Sequence, residues 1–577
     1  MCAMGVAIGL ATGLGAVGVG SLVGFFHNLF FYGEISTFYN DEELIDISPF
    51  GPLIILAPII GGLGVVFITR TFGPEARGNG VPEVMDAIYH RGGRMRPRIA
   101  LVKAIASSLS IGSGASVGRE GPMVQIGAAV GSAFGQFANL ASWQRVTLLA
   151  AGAGAGIAAT FNTPLGAVMF AIELMLPEVS TRTFLPVVLA TGAATYVGRL
   201  FFGLQPVFVV QLPDVPTAGA FAPLDFLGFA LLGVIGGLVA FMFIRALFDI
   251  DDLFQRLFPN PYLACVVAMS IVGATFYGLQ LAFGHYYVAG VGYDVVQVVL
   301  RGELSELHVL AVVFVAKMLV TGVSLGGGAS GGGFSPSLVV GAALGGAYGA
   351  LLDLIWPVHS FTVAEYAMIG MAVVSGGATG AAMTAITMVF ELTRDYNIIV
   401  PLIVAVPIAI GVRRIMLVEN LYTLRLARRG RPVPTNRHTN MYLVRSAREV
   451  MDVQFAVAEG STSLGQVSQW LSESAAPNFI ILAHQTRIEG VVSFDDRIRT
   501  PHLLSDPEVL GDLAIKEYVY VRENSIMSDV IRRMARQNAR IALVVQDKPG
   551  IPRAGDVVGV IGKPQIADAM MRDQAGV

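Results

Sequence analysis

Up to about residue 415, apolar residues do not alternate with polar ones; they run together in blocks. Blocks at 52–69, 146–175, 223–244, 261–283, 308–325, 337–355 and 398–412 carry almost no charge. Several reach the roughly 17–25 residues that a membrane-spanning helix needs, and several fall short of it. Beyond about residue 430 the pattern becomes that of an ordinary soluble protein. The pattern therefore predicts a polytopic α-helical membrane domain followed by a soluble domain.

Composition agrees: 54% of the 577 residues are hydrophobic and only 14% are charged, where a soluble protein carries about 25% charged residues. The net charge of −3 hides one cluster, Arg413, Arg414, Arg425, Arg428, Arg429 and Arg431, directly after the last long apolar block. The positive-inside rule puts that end of the membrane domain, together with the soluble domain beyond it, in the cytoplasm of a multi-pass cell-membrane protein. The N-terminal apolar run has no basic segment before it, so it does not read as a cleaved signal peptide. Cys2 and Cys265 give neither a disulfide framework nor a metal-ligand spacing, which sets redox and zinc chemistry aside.

The membrane domain contains a repeat. Placing 112–135 (GSGASVGREGPMVQIGAAVGSAFG) over 326–349 (GGGASGGGFSPSLVVGAALGGAYG) makes 12 of 24 positions identical, with the proline and the Ala-Ser pair in register. The same offset superposes Lys103 on Lys317, and a slightly different one pairs Glu173 with Glu391. The repeat cores lie near 97–175 and 311–392. Gly/Ala-rich seams recur by composition in membranes, but this degree of register marks a true repeat. Two repeats in a polytopic domain are a transporter design, with the substrate between the halves near mid-membrane.

Each copy runs from a glycine-rich loop through a proline into a small-residue apolar run. Proline is favoured in the first helical turn, so Pro122 and Pro336 mark helix starts, and Pro82 in GNGVP marks a third. Such starts gather free N–H groups and the positive end of the helix dipole. Irregular backbone at membrane depth is tolerated only where it is buried or lines a cavity. No phosphate-loop lysine accompanies the loops, which favours a small anion over a nucleotide.

GNGVP at 78–82, GREGP at 118–122, GGFSP at 332–336 and NLYTLRL at 420–426 together resemble the motifs of the CLC chloride channels and proton-coupled chloride exchangers, in order and spacing. The resemblance covers residues 1–430. It implies a homodimer in the lipid bilayer, one anion pathway per subunit, and inverted repeats of short, tilted helices. It implies further that Glu120 is the gating glutamate, whose carboxylate occupies an anion site and swings away when protonated. Tyr422 would meet the central anion with its hydroxyl, Gly333 and Phe334 would face it with backbone N–H groups, and Arg119 and Gly121 would do so at the outer site. The alternatives are an interfacial tyrosine for Tyr422 and a structural ion pair for Arg119–Glu120.

Two departures qualify the resemblance. Asn79 stands where the family has a serine facing the central anion; its amide is bulkier and can also donate. That leaves chloride the expected anion, with nitrate the competitor. Leu174 stands where many exchangers carry an inner proton-transfer glutamate, and Glu173 fills the preceding acidic position, for which a structural role is the alternative. Leucine carries no proton, so passive conduction gated by Glu120 is the expectation and proton-coupled exchange the alternative, buried water being able to replace a relay side chain.

After a linker at 431–442, residues 443–577 show two similar strand–helix–strand units and resemble a pair of CBS domains. Such pairs often bind adenine nucleotides; Asp496 fits the ribose-binding aspartate, whereas the second copy has Gly562 and Gln565. A structural dimerisation module is the favoured role, and no cofactor is required. CBS-regulated cation transport would need more intramembrane carboxylates than Glu120, Glu173 and Glu391. A membrane enzyme would need a nucleophile–base or metal set, and none is present; nothing points to nucleic acid. The chain begins almost inside its first apolar block, so the family's cytoplasmic first helix is expected to be missing or to lie outside this numbering.

Overall fold

The structure, a computed structural model, describes residues 1–38, 43–210, 223–355, 362–433, 441–463, 467, 477–493, 509–547 and 552–575. The chain divides into two compact units. One comprises Met1–Ala87, Gly93–Leu140 and Gln144–Val433; the other comprises Ile88–Gly92, Ala141–Trp143 and Pro434–Val577. The expected linker falls mostly on residues outside those described, as does the helix expected in the first CBS-like unit.

The larger unit is built of helices. In chain order they are α1 (Cys2–Phe31), α2 (Leu56–Phe72), α3 (Val81–His90), α4 (Arg98–Gly112), α5 (Glu120–Phe137), α6 (Ser142–Phe161), α7 (Pro164–Phe170) and α8 (Thr181–Phe202). The second half follows with α9 (Pro223–Leu257), α10 (Pro261–Phe283), α11 (Tyr293–Leu300), α12 (Leu307–Gly326), α13 (Phe334–Ile355), α14 (Val363–Thr379), α15 (Ala382–Thr393) and α16 (Ile399–Met416). A short α17 (Thr423–Arg428) ends the unit. Among the described residues, eight helices are long and apolar enough to cross a membrane. The blocks at 261–283 and 308–325 became α10 and α12. The block at 146–175 is not one span: it breaks at Asn162 and Thr163, and Pro164 starts a new helix because its ring suits a first turn and no later one.

Local chemistry fixes the ends. Asn260 Oδ1 accepts from Tyr262 N–H at 3.0 Å to start α10, and Thr362 with Glu365 forms a reciprocal capping box on α14. The two halves repeat their contacts. Gly127 on α5 lies so close to Gly152 on α6 that a Cβ on either would overlap the other's carbonyl oxygen, and Gly341 and Gly370 do the same between α13 and α14. On α1, Gly5 and Gly9 press against the carbonyls of Pro186 and Ala190 on α8; on α9, Gly233 and Gly237 press against those of Ala405 and Ala409 on α16. Helices in lipid gain nothing from apolar transfer against one another, so backbone approach at small residues supplies the packing.

The smaller unit holds two three-stranded sheets of one design. In the first, β1 (Phe455–Ala458) runs parallel to β2 (Phe479–His484), which pairs antiparallel with β3 (Arg487–Ser493). In the second, β4 (Tyr518–Arg522), β5 (Ile541–Val545) and β6 (Val557–Ile561) repeat that order and sense. Side chains of both sheets share one core, with Ile481 and Val491 from the first meeting Leu543 and Val560 from the second. Helix Met527–Arg536 buries Met527, Val530 and Met534 and leaves its arginines outside.

The glycine seams generate a prediction. Replacing Gly341 by leucine forces α13 off α14 and should cost at least the roughly 1–3 kcal/mol of core overpacking. It should lower the melting temperature or the monodisperse yield in detergent. Gly192→Ala, at a position with open space around it, should leave both unchanged.

Candidate functional site

The site begins with three loops and the three helices they start. Strand-like pairing stitches the loops together. Gly118 and Gly332 form an antiparallel pair: Gly118 N–H donates to Gly332 O at 2.8 Å and Gly332 N–H to Gly118 O at 2.7 Å. Gly78 pairs in parallel with Ser330, and Gly331 N–H donates to Gly78 O at 3.3 Å. The starts of α3, α5 and α13 therefore converge, each two or three residues beyond a stitched glycine. Gly114 and Gly328, equivalent in the repeat, both turn the chain at φ 97°, a region that favours glycine.

Glu120 is the first residue of α5 and is 2% exposed. Its carboxylate crosses to α13: Oε1 accepts from Phe334 N–H at 2.8 Å and Oε2 from the Ser335 hydroxyl at 2.5 Å. A Cβ on Gly118 or Gly332 would overlap the carboxyl group, so both glycines are needed for it to lie where it does. It thus sits on the N-terminus of another helix, whose unpaired N–H groups and dipole favour negative charge. The guanidinium of Arg119 lies over the ring of Tyr293, 5.1 Å from its centroid.

The other expected residues surround this point. Asn79 is 7% exposed; its Oδ1 faces Gly121 and its Nδ2 faces Gly333. Gly121 has no room for a side chain, since a Cβ would overlap the Asn79 carbonyl. Tyr422 is 1% exposed and within electrostatic reach of Glu120, so it is no interfacial tyrosine. Asn420 positions it: Asn420 Oδ1 accepts from Tyr422 and Thr423 N–H, its Nδ2 donates to Thr379 O at 2.7 Å, and Leu421 N–H donates to Ala378 O. Asn79 and Arg119 line separate cavities. The first, about 40 Å³, also meets Arg77, Leu421 and Arg425; the second, about 410 Å³, also meets Met123, Phe161 and Asn162.

Lys103, fully buried, donates to Ala76 O at 2.9 Å and Gly78 O at 2.5 Å, bracing the loop before α3. Lys317 does the same for Val288 O and Gly290 O before α11. The basic cluster after α16 divides its work. Arg413 is buried and donates to the Gly377, Leu417 and Val418 carbonyls, whereas Arg428, Arg429 and Arg431 pair with Asp252, Glu83 and Asp86.

Leu174 is buried within Ala171–Met175, a single turn of π-helix that continues α7. Its neighbour Glu173 turns elsewhere: its carboxylate accepts from Met383 and Thr384 N–H and from the Thr384 hydroxyl, capping α15. Glu391 on α15 returns the contact, accepting from Leu165 N–H at 3.1 Å and Gly166 N–H at 2.7 Å at the start of α7. The repeat-related glutamates cap one another's helices. Asp496 lies outside the described residues. Gly562 and Gln565 form a closed turn, Gln565 accepting from Gly562 N–H at 3.0 Å and donating to Asp452.

Sequence reasoning did not single out Ser335, Tyr293 or Arg425 as site residues. Ser335 lies inside the GGFSP motif, and a hydroxyl directly after the residue facing the anion was the available signal. Tyr293 was findable through the repeat, because GVGYD at 290–294 matches GNGVP at 78–82 in its glycines.

A model of the family described as voltage gated chloride channel matches residues 61–414. The H(+)/Cl(-) exchange transporter ClcA of Yersinia pestis bv. Antiqua (strain Angola) is 33% identical over 383 residues, 65% of this chain and 77% of that protein. The fold is similar to that of a slow cyanobacterial Cl-/H+ antiporter, with a TM-score of 0.63 and 26% identity over 74% of this chain and 97% of that one. A eukaryotic CLC transporter superposes with a TM-score of 0.63 at 20% identity, covering 98% of this chain and 97% of that one, which is a likeness of fold.

The capping pair yields a prediction. Glu173→Ala and Glu391→Ala each remove a helix cap and should cost about 0.5–2 kcal/mol, read as a lower melting temperature in detergent. Neither should change chloride affinity by isothermal titration, because both carboxylates serve the starts of α7 and α15 and not those of α3, α5 and α13.

Proposed function

Because the chain belongs to the voltage gated chloride channel family, we propose that it exchanges chloride or a similar small monovalent anion for protons, with the Glu120 carboxylate as the moving gate. It is a multi-pass membrane protein of a family of anion transporters and not an enzyme. The observation that carries the reading is a carboxylate lying on the Phe334 N–H and the Ser335 hydroxyl. Those donors suit an anion, and the protein's own side chain takes the anion's place.

The steps follow from charge. The ionised carboxylate competes with the anion for the same donors, and charge-assisted hydrogen bonds of about 1.5–3 kcal/mol each hold it there. A proton on Glu120 removes the charge that the helix start attracts, so the side chain leaves and the anion replaces it. Phe334 and Gly333 would then offer backbone N–H groups, Tyr422 its hydroxyl, and Asn79 its amide Nδ2, which already faces Gly333. Lys103 braces the loop behind them. Arg119 and Gly121 would serve the outer position, reached through the Arg119-lined cavity.

Exchange displaces passive conduction as the first reading, because the similar proteins are named as exchangers. Passive conduction is retained as the second reading on one observation: the buried Leu174 has no proton to pass. Glu173 does not substitute for it here, its carboxylate being occupied at the start of α15. The two repeats, paired antiparallel at Gly118 and Gly332, fit an inverted arrangement. In the smaller unit, the repeated sheet order supports the CBS resemblance.

Reconstituted in liposomes, the protein should lose chloride when a potassium ionophore balances charge, and a chloride gradient should drive protons uphill. Chloride flux without proton movement selects the channel; no chloride flux sinks the anion pathway. Glu120→Gln should flatten the dependence of chloride flux on pH, since glutamine does not titrate. A variant that keeps the parent's pH profile removes Glu120 as the gate.

A further inference from the structure

The Ser335 hydroxyl that meets Glu120 also meets a second hydroxyl. Tyr293 Oη lies 2.6 Å from Ser335 Oγ. All three side chains are buried, at 2% exposure for Tyr293, 0% for Ser335 and 2% for Glu120. A hydroxyl has one proton to give and lone pairs to receive with. An ionised carboxylate only accepts, so Ser335 directs its proton to Glu120 and Tyr293 must be the donor to Ser335. The chain is polarised in one direction: Tyr293 O–H to Ser335 O–H to the Glu120 carboxylate.

We propose that Tyr293 and Ser335 form a hydroxyl latch, a pair of positioning residues that holds the Glu120 carboxylate on α13 and sets the proton concentration at which the pathway opens. The latch rests on the reading of Glu120 as gate. Hydrogen bonds to the ionised carboxylate are charge-assisted, and a proton on Glu120 removes that assistance. The same event that removes the charge therefore also weakens the latch.

Other groups also bear on Glu120. Lys103 on α4 and Tyr422 at the start of α17 act on it electrostatically, and the first turn of α13 carries no acidic residue. Arg119, its chain neighbour, covers the Tyr293 ring and helps to fix where the phenol points. Glu83, in the first turn of α3, acts on Lys103. Tyr293 is held in turn by its position as the first residue of α11, with Phe208 at 5.4 Å between ring centroids and Phe161 at 6.1 Å.

The test is chloride efflux from liposomes against pH, for the full chain and for Tyr293→Phe, Ser335→Ala and the double variant. Tyr293→Phe keeps the ring under Arg119 and removes only the donor. Losing the hydrogen bond that polarises Ser335 toward Glu120 should move the midpoint of the profile to higher pH by up to about one unit, a tenfold change in proton concentration. Ser335→Ala should move it at least as far, and the double variant no further than Ser335→Ala, because Tyr293 acts through Ser335. Chloride affinity by isothermal titration should rise in Tyr293→Phe, which holds the competing carboxylate less tightly and keeps the Ser335 hydroxyl. A profile unmoved in both single variants overturns the latch, and so does a double variant whose shift is the sum of the two. Glu120→Gln separates the premises: if it flattens the profile while the hydroxyl variants leave it unmoved, the latch alone fails, and if it retains the profile the gate itself fails. Should Ser335→Ala not yield folded protein, Tyr293→Phe and its chloride affinity decide the matter.

Discussion

Two reciprocal hydrogen bonds between Gly118 and Gly332 are the contact on which the site depends. They join equivalent positions of the two repeats as an antiparallel pair, so a local two-fold axis passes between them. Two residues beyond each glycine a helix begins, α5 at Glu120 and α13 at Phe334. The axis thus brings two helix starts together while sending their bodies apart. Any side chain at either glycine would occupy the space of the Glu120 carboxyl group. The backbone pairing and the gate therefore use the same volume, and that explains why both positions are glycine.

Glu120 and Phe334 are themselves equivalent in the repeat. One half places a carboxylate at the start of its helix, and the other places a phenylalanine whose backbone N–H donates to that carboxylate. The symmetry of the scaffold supplies the donor, and a difference at one position supplies the charge. Elsewhere the repeat keeps its contacts alike. Glu173 and Glu391 cap each other's helices, Lys103 and Lys317 brace equivalent loops, and paired glycines seat α6 on α5 and α14 on α13. These contacts satisfy polar groups within protein, as a lipid environment demands. They hold the scaffold in place around the side chain proposed as the gate.

The legible part of the sequence was the part whose physics is local. Apolar length announced the long helices, and proline after glycine announced the starts of α5 and α13, where a loop must end and a helix begin. Repeat register named Lys103 and Lys317 without saying what they hold. The break at Asn162–Pro164 was missed because an apolar count does not weigh a single proline. Ser335 and Tyr293 escaped for a different reason: they meet only when α11 and α13 pack together, 42 residues apart in sequence. Glu173 could be narrowed to two roles by sequence, but its capping of α15 needed the fold.

Leu174 shows how proton movement and anion movement separate in such a scaffold. On the proposed reading the anion path draws on backbone donors at the helix starts together with Ser335, Tyr422 and Asn79, none of which depends on the side chain at 174. A proton path needs titratable groups or water in sequence, and one buried leucine interrupts a side-chain relay at its position. The neighbouring carboxylate is not available as a substitute, because two N–H groups and a hydroxyl of α15 already hold it. If exchange takes place here, protons must reach Glu120 through water. With Glu120 as the proposed gate, one titratable group suffices in either case, so gating and coupling would be set by different residues.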